Sequence, residues 1–250
     1  MTLNFAHRGF SGQFPENTML AFEKAVEAGA DGIELDVQFS KDGELVIMHD
    51  ETLNRTAGVD GFVKDYTLEQ LKAMDVSGKW GDRYGSMEIP TLREYFEHFK
   101  DLPVITNIEL KTGIFPYPGI EKRTLEMIQE YELENKIIIS SFNHYSCLKM
   151  KELDEKMPCG LLEESWIVGA GKYGRKLGMD FLHPAYPMVT ESYVQDAADH
   201  GLKVNTWTVN DWDRKGKVWK NRTLFFFCLY KRTETGIIIY KKKKNRRRHE

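Results

Sequence analysis

The sequence predicts an α/β protein built as a single (β/α)8 barrel of the TIM type. Three observations support that class. Short strand-like apolar runs alternate with amphipathic helical stretches along most of the chain, the order expected of a parallel sheet with helical crossovers. The length, 250 residues, suits one large barrel. Histidines and carboxylates fall at the C-terminal ends of the strand-like runs, where barrels of this class carry their chemistry.

Leu3 to Ala6 is the first expected strand. Thr18 to Ala28 follows as an amphipathic helix, with Asn17 as the expected N-cap and Gly29 as the stop. Gly32 to Phe39 is the second strand, and Lys41-Asp42-Gly43 reads as a tight turn into Glu44 to Met48. That turn is too short for a helical crossover, so the returning segment must be antiparallel and carry His49 back toward the mouth. Residues 51 to 88 fit a barrel poorly. They hold Gly58, Gly61, Gly78, Gly81 and Gly85, and one helical stretch from Thr67 to Met74 opened by the capping-box pair Thr67 and Gln70. Thr91 and Glu94 give the same signature for the next helix. Further strands are expected at Val104 to Leu110, Ile137 to Ser141, Cys159 to Leu162, Phe181 to His183 and Lys203 to Val209. Helices are expected between them, near Gly119 to Tyr131, His144 to Lys156, Gly171 to Leu177 and Thr190 to His200.

Four segments carry the chemistry: His7-Arg8-Gly9, Glu34-Leu35-Asp36, His49-Asp50 and Glu109-Leu110-Lys111. Strand alternation points Glu34 and Asp36 the same way, and likewise Glu109 and Lys111. Three converging carboxylates repel unless a cation lies between them, and hard oxygen ligands suit Mg²⁺ or Ca²⁺. Arg8 and Lys111 add the permanent positive charge that a phosphate diester needs. His7 and His49 are the members of the set able to exchange protons near neutral pH. Each segment alone has a plain reading, a surface charge pair or a satisfied loop histidine; their joint placement argues for a site.

The chain resembles the glycerophosphodiester phosphodiesterases. The resemblance runs in order through His7-Arg8-Gly9, Pro15-Glu16-Asn17-Thr18, Gly32 to Val37, Lys41-Asp42-Gly43, His49-Asp50, Leu53-Asn54-Arg55-Thr56, Ile89 to Leu92, Asn107 to Lys111, Ser140-Ser141-Phe142 and Trp207 to Asn210. It implies metal-dependent hydrolysis of a small glycerophosphodiester to glycerol 3-phosphate and an alcohol. One divalent cation, Mg²⁺ or Ca²⁺, is expected on Glu34, Asp36 and Glu109. One of His7 and His49 is expected to take a proton from the nucleophile while the other gives one to the departing alcohol. The nucleophile is either a neighbouring substrate hydroxyl, through a cyclic phosphate, or water. Arg8 and Lys111 are expected to hold the phosphate. Phe142 and Trp207, ending strands, are candidates for an apolar wall against the glycerol or alcohol group; core packing is the default for an aromatic and the equal alternative for Trp207. Residues 51 to 88 then form a small subdomain inserted after the second strand. Pro15 to Thr18 reads as a helix start that supports the site, and His183 as a mouth residue or, better, a structural one. His98, His144 and His200 are expected in solvated or capping positions. The alternatives are a lysophospholipase D acting on lipid, and a catalytically impaired phosphate-binding barrel. Intact His7 and His49 argue against the latter, because binding alone needs no proton shuttle.

Composition agrees with a globular enzyme: 41% of residues are apolar. Cys147, Cys159 and Cys228 show neither disulfide-framework nor zinc spacing. With no signal-peptide pattern after Met1 and no run long enough to span a bilayer, a cytoplasmic protein without stable membrane insertion is expected. No sequence feature specifies an oligomeric state. Residues 214 to 250 hold 14 Lys and Arg against 2 acids, whereas residues 1 to 213 hold 21 against 36. An acidic body with a basic tail is a nucleic-acid pattern, yet no nucleic-acid-binding motif accompanies it, and no such partner is expected. The resemblance stops after Trp212-Asp213, where the composition changes abruptly in the manner of a shifted reading frame. The barrel is expected to extend to residue 240, with 214 to 240 an atypical end in which Gly236 to Tyr240 supplies the eighth strand, because an open barrel leaves two unpaired edges. Residues 241 to 250, a block of like charge, are expected to stay solvated.

Overall fold

The computed structural model describes residues 3–210 and 224–227. Its strands are β1 (Asn4–His7), β2 (Gly32–Phe39), β3 (Leu45–Ile47), β4 (Ile105–Leu110), β5 (Ile137–Ser141), β6 (Cys159–Glu163), β7 (Phe181–Pro184), β8 (Lys203–Thr206) and β9 (Leu224–Phe227). The order β1-β9-β8-β7-β6-β5-β4-β2 closes through a β1–β2 pairing, and every pairing in that ring is parallel. This is the eight-stranded barrel expected from the sequence. β3 lies outside the ring, antiparallel on β2, as the short turn at Lys41-Asp42-Gly43 requires. The helices are α1 (Met19–Glu27), α2 (Asn54–Ala57), α3 (Leu68–Lys72), α4 (Gly81–Tyr84), α5 (Leu92–Phe99), α6 (Ile120–Glu130), α7 (His144–Leu153), α8 (Ala170–Lys176) and α9 (Glu191–Asp199).

Alternation along β2 divides its side chains. Ile33, Leu35 and Val37 are fully buried in the main core with Phe22 of α1 and Tyr95 and Phe96 of α5. The alternate residues Glu34, Asp36 and Gln38 are buried as well, on the barrel side of the sheet. On α5, Leu92, Tyr95, Phe96 and Phe99 fall on one face and are all buried, and the Thr91–Glu94 capping box fixes where that helix starts. The interior is tight: a Cβ at Gly160 of β6 would collide with the His183 ring on β7. Val46, Met48, Leu53, Val63, Leu71, Val76 and Ile89 make a second apolar cluster of their own, drawn largely from the segment between β3 and α5. α3 within it carries the expected Thr67–Gln70 capping box.

Two expectations are corrected. The N-cap of α1 is Thr18, whose hydroxyl accepts from the Ala21 N–H, and not Asn17. The slot between β8 and β1 is held by Leu224–Phe227, and not by Gly236 to Tyr240, which lies outside the described residues. The later, more β-branched run had the better strand composition, but β9 is reached sooner from β8. Cys147 and Cys159 are free and buried, and Cys228 lies outside the described residues.

One buried acid lies away from the barrel interior. Glu163, 2% exposed at the end of β6, accepts from the Tyr193 hydroxyl at 2.6 Å through one oxygen, and its other oxygen accepts nothing. Burial pushes its carboxyl from 4.5 up to about 7. The folded state therefore holds this proton more tightly than the unfolded chain does. Its contribution favours folding most at low pH and declines as pH rises from 4.5 to about 7. Glu163→Gln is expected to remove that decline, gaining roughly 2–3 kcal/mol relative to the wild type between pH 5 and pH 8. Urea unfolding at the two pH values measures it; an unchanged difference would contradict this reading of Glu163.

Candidate active site

Register assembles the site at the C-terminal ends of three neighbouring strands. His7 of β1 stands opposite Glu34 of β2, and Asp36 of β2 opposite Glu109 of β4. Glu34, Asp36 and Glu109 each offer an oxygen within 4.8 Å of the others, and all three are buried. Burial, followed by the repulsion of Asp36 and Glu109, pushes Glu34 well above its ordinary value. Burial and then Asp36 push Glu109 up to about 7. Asp36 is held below its ordinary value despite burial, because His49, Arg8, Lys111 and Asn17 all favour its charged form.

The donor set fits a hard divalent cation. Asp36 Oδ1 is buried and accepts no hydrogen bond, whereas Oδ2 accepts from Asn17 Nδ2 at 2.8 Å. Three carboxylates with one oxygen left open are what Mg²⁺ or Ca²⁺ takes. Asn17 thus moves from expected helix cap to holder of Asp36. Its φ of 54° and the 54° of Arg8 place both in the left-handed region, a strain of about 1 kcal/mol or more each that the surrounding bonds offset.

Positive charge comes from two sides. The Arg8 N–H donates to Glu34 Oε2 at 2.9 Å, and its guanidinium lies 3.7 Å from Asp36. Lys111, just past β4, donates to Glu109 at 3.0 Å and lies 3.9 Å from Asp36. His7 Nε2 is 3.8 Å from Glu34, and its own basicity falls to about 3, through burial first and Arg8 second.

His49 follows β3 and is fixed from behind. Asp50 Oδ1 lies 2.6 Å from His49 Nδ1, so this contact engages one ring nitrogen and not Nε2. Arg55 of α2 donates from Nε to Asp50 at 2.6 Å and through both terminal nitrogens to Glu16 at 3.0 and 2.7 Å. Glu16 also accepts from Arg8 Nη1 at 3.0 Å. A continuous chain of charge-assisted bonds thus links His49 to Arg8 through Asp50, Arg55 and Glu16. Gln38 Nε2 holds the same turn by donating to the Met48 and Asp50 carbonyls at 2.9 and 2.8 Å. Of these holders, sequence reasoning had singled out only the Pro15 to Thr18 segment as support. Arg55 and Asp50 stood inside recognised motifs, but their partners lie far along the chain.

A cleft of about 370 Å³ opens onto this cluster. Its polar side holds His7, Arg8, Glu34, His49, Asn107 and Glu109, and its other side Phe142, Leu162, His183 and Trp207. Phe142 and Trp207 meet edge to face with centroids 5.4 Å apart where they line the cleft. Asn107, which sequence reasoning quoted but gave no role, donates to Ser140 at 2.8 Å and keeps its carbonyl oxygen without a bond. His183 is fully buried at the cleft wall beside Asn205, a structural position. His144 opens α7 and bonds the Leu162 carbonyl and Tyr173 hydroxyl, His98 lies 3.3 Å from Glu23, and His200 caps α9.

The sequence model of the glycerophosphoryl diester phosphodiesterase family matches residues 7–224. A glycerophosphodiester phosphodiesterase of Caldanaerobacter subterraneus is 46% identical over 214 residues, 86% of this chain and 87% of that protein. One from Bacillus subtilis is 34% identical over 84% of this chain and 77% of its own length. Among solved structures, an Oleispira antarctica phosphodiesterase in complex with the product sn-glycerol-3-phosphate superposes with a TM-score of 0.81 at 29% identity, covering 90% of this chain and 93% of that one. A glycerophosphodiester phosphodiesterase of Thermotoga maritima gives 0.71 at 30% identity, covering 91% and 95%. A family match over most of the chain, relatives well above 30% identity and a shared barrel together place this protein in the glycerophosphoryl diester phosphodiesterase family.

Proposed function

We propose that the protein hydrolyses small glycerophosphodiesters to glycerol 3-phosphate and an alcohol, with one Mg²⁺ or Ca²⁺ held by Glu34, Asp36 and Glu109. The observation that carries this reading is the buried carboxylate trio beside a cleft lined by His7, His49 and Arg8, with Lys111 bonded to Glu109. The product recorded with the Oleispira phosphodiesterase agrees with it. When bound, the cation supplies positive charge to the phosphate as negative charge develops on it. Arg8 and Lys111 hold the phosphate oxygens and share that charge. One of His7 and His49 removes the proton of the nucleophile, water or a neighbouring substrate hydroxyl that gives a cyclic phosphate for water to open, and the other delivers one to the alcohol oxygen as it leaves. Phe142 and Trp207 shield the alcohol side of the cleft from water. Asp50 keeps the His49 ring oriented, and Arg55 keeps Asp50 in place while fixing Glu16 against Arg8.

Purified protein with added Mg²⁺ or Ca²⁺ is expected to release glycerol 3-phosphate from glycerophosphocholine, and EDTA to abolish the release until metal is restored. Turnover that survives thorough metal removal would refute the metal role. Arg55→Lys, which cannot reproduce the two-pronged grip on Asp50 and Glu16, is expected to lower kcat roughly tenfold with a smaller change in KM. Wild-type kcat in that variant would remove Arg55 from the positioning of His49.

A further inference from the structure

Strand alternation turns three polar residues inward along β4: Asn107, Glu109 and, just past its end, Lys111. Glu109 and Lys111 belong to the cluster at the mouth. Asn107 stands two residues nearer the N-terminal end of the barrel, a step of about 7 Å along the strand. It is 2% exposed, stands opposite Glu34 in the pairing with β2, and lines the cleft. Its Nδ2 donates to the Ser140 hydroxyl at 2.8 Å, while its buried Oδ1 accepts from no group among the described residues.

An acceptor buried without a donor destabilises a fold, so such an atom calls for a reason. Packing fixes the side from which a donor can come. Ile138, opposite Asn107 on β5, is buried with Phe5 and Phe181, and Ile105, two residues before Asn107, packs against them. This apolar layer closes the barrel beneath the amide and its side chains hold no donor. A donor therefore enters from the mouth, along the cleft. The cationic side chains there are already engaged, Arg8 with Glu16 and Asp36, and Lys111 with Glu109 and Asp36. What remains is a donor on the molecule that the cleft binds.

We propose that Asn107 Oδ1 accepts a hydrogen bond from the terminal hydroxyl of the substrate's glycerol moiety, and so selects glycerol over a diol that lacks it. The proposal rests on the phosphodiesterase reading above, with the phosphate held at the carboxylate cluster. Counted from that phosphate, the terminal hydroxyl is the farthest polar atom of glycerol, which suits an acceptor one strand step below Glu109. The hydroxyl next to the ester carbon stays beside the phosphate, free to act as nucleophile on the cyclic route. A neutral amide oxygen accepts from a hydroxyl without adding a fourth negative charge to the carboxylate trio. Because the oxygen is buried, a substrate without the hydroxyl leaves it unpaired, and sites of that kind reject such analogues strongly.

The test uses the full chain with added Ca²⁺ and compares glycerophosphocholine with its analogue built on propane-1,2-diol. The analogue lacks only the terminal hydroxyl and keeps the one beside the ester carbon, so either route of hydrolysis stays open to it. The wild type is expected to favour glycerophosphocholine by about a hundredfold or more in kcat/KM. Asn107→Leu is expected to lose that factor on glycerophosphocholine and to change little on the analogue, which brings the ratio close to one. Asn107→Ala reads the same quantity if the leucine variant does not fold. A purely structural role would lower both rates and keep the ratio, so a kept ratio overturns the proposal, as do equal wild-type rates on the two substrates. Calorimetry gives a readout without turnover: the wild type should bind glycerol 3-phosphate at least about tenfold more tightly than propane-1,2-diol 1-phosphate, and the variant should bind them alike. If this difference is present while turnover is absent, the hydrolysis reading fails and the assignment of Asn107 stands. Equal wild-type binding overturns the assignment, and binding of neither phosphate overturns both. A variant that loses Ca²⁺ binding overturns it as well, since Asn107 would then be a metal ligand.

Discussion

His7→Ala and His49→Ala are each expected to lower kcat by roughly 10² to 10⁴, the usual worth of a positioned acid or base. Both rings line the cleft, one from the end of β1 and the other just past β3. Neither belongs to the carboxylate trio, so unfolding midpoints in the presence of metal should move little. Because the two histidines carry opposite proton duties, the wild-type pH profile should be bell-shaped, and each variant should lose one limb. Stopped-assay kcat across pH provides the measurement. Near-normal kcat in either variant would take that residue out of the mechanism.

The second large effect is a change of sign in stability. Without metal, Glu34 is a buried carboxylate facing two others, and its charged form is strongly disfavoured. Glu34→Gln puts a neutral group where the metal-free fold disfavours a charge and keeps an oxygen to accept the Arg8 N–H. In EDTA the variant is therefore expected to be more stable than the wild type by roughly 1–2 kcal/mol at pH 8. With Ca²⁺ at a hundred times its dissociation constant, the wild type gains about 2.7 kcal/mol and the variant far less, so the order reverses. Activity at saturating metal should fall roughly a hundredfold or more, since about 3 kcal/mol of transition-state stabilisation is lost. Urea unfolding with and without Ca²⁺ reads this out. Equal metal stabilisation of both proteins would show that the cation binds elsewhere.

Much of this was legible before the chain was folded. The alternation of Glu34 and Asp36 in an otherwise apolar strand, and of Glu109 and Lys111 in another, sets their common direction, because a strand has period two whatever surrounds it. The three-residue turn at Lys41 to Gly43 fixed an antiparallel return, and so the route of His49 to the mouth. The Thr67 and Thr91 capping boxes placed two helix starts, since their bonds lie within four residues. Local periodicity and local hydrogen bonding were enough for all of these.

What lay beyond reach was every contact between distant segments. Asn17 and Thr18 are both good N-caps, and only the buried Asp36 oxygen, 19 positions away, drew Asn17 out of the role and left it to Thr18. The bonds of Arg55 to Glu16 span 39 positions, so no window of sequence shows that they fix His49 and Arg8 together. Gly236 to Tyr240 had the stronger strand composition, yet Leu224–Phe227 closes the barrel, because pairing with β8 and β1 depends on where the chain arrives as well as on propensity. The chain by itself determined the barrel class and the common direction of the carboxylates on each strand, since these follow from periodicity and composition. The tertiary structure alone decided which partners hold those residues in place, since that depends on distances between segments far apart in the chain.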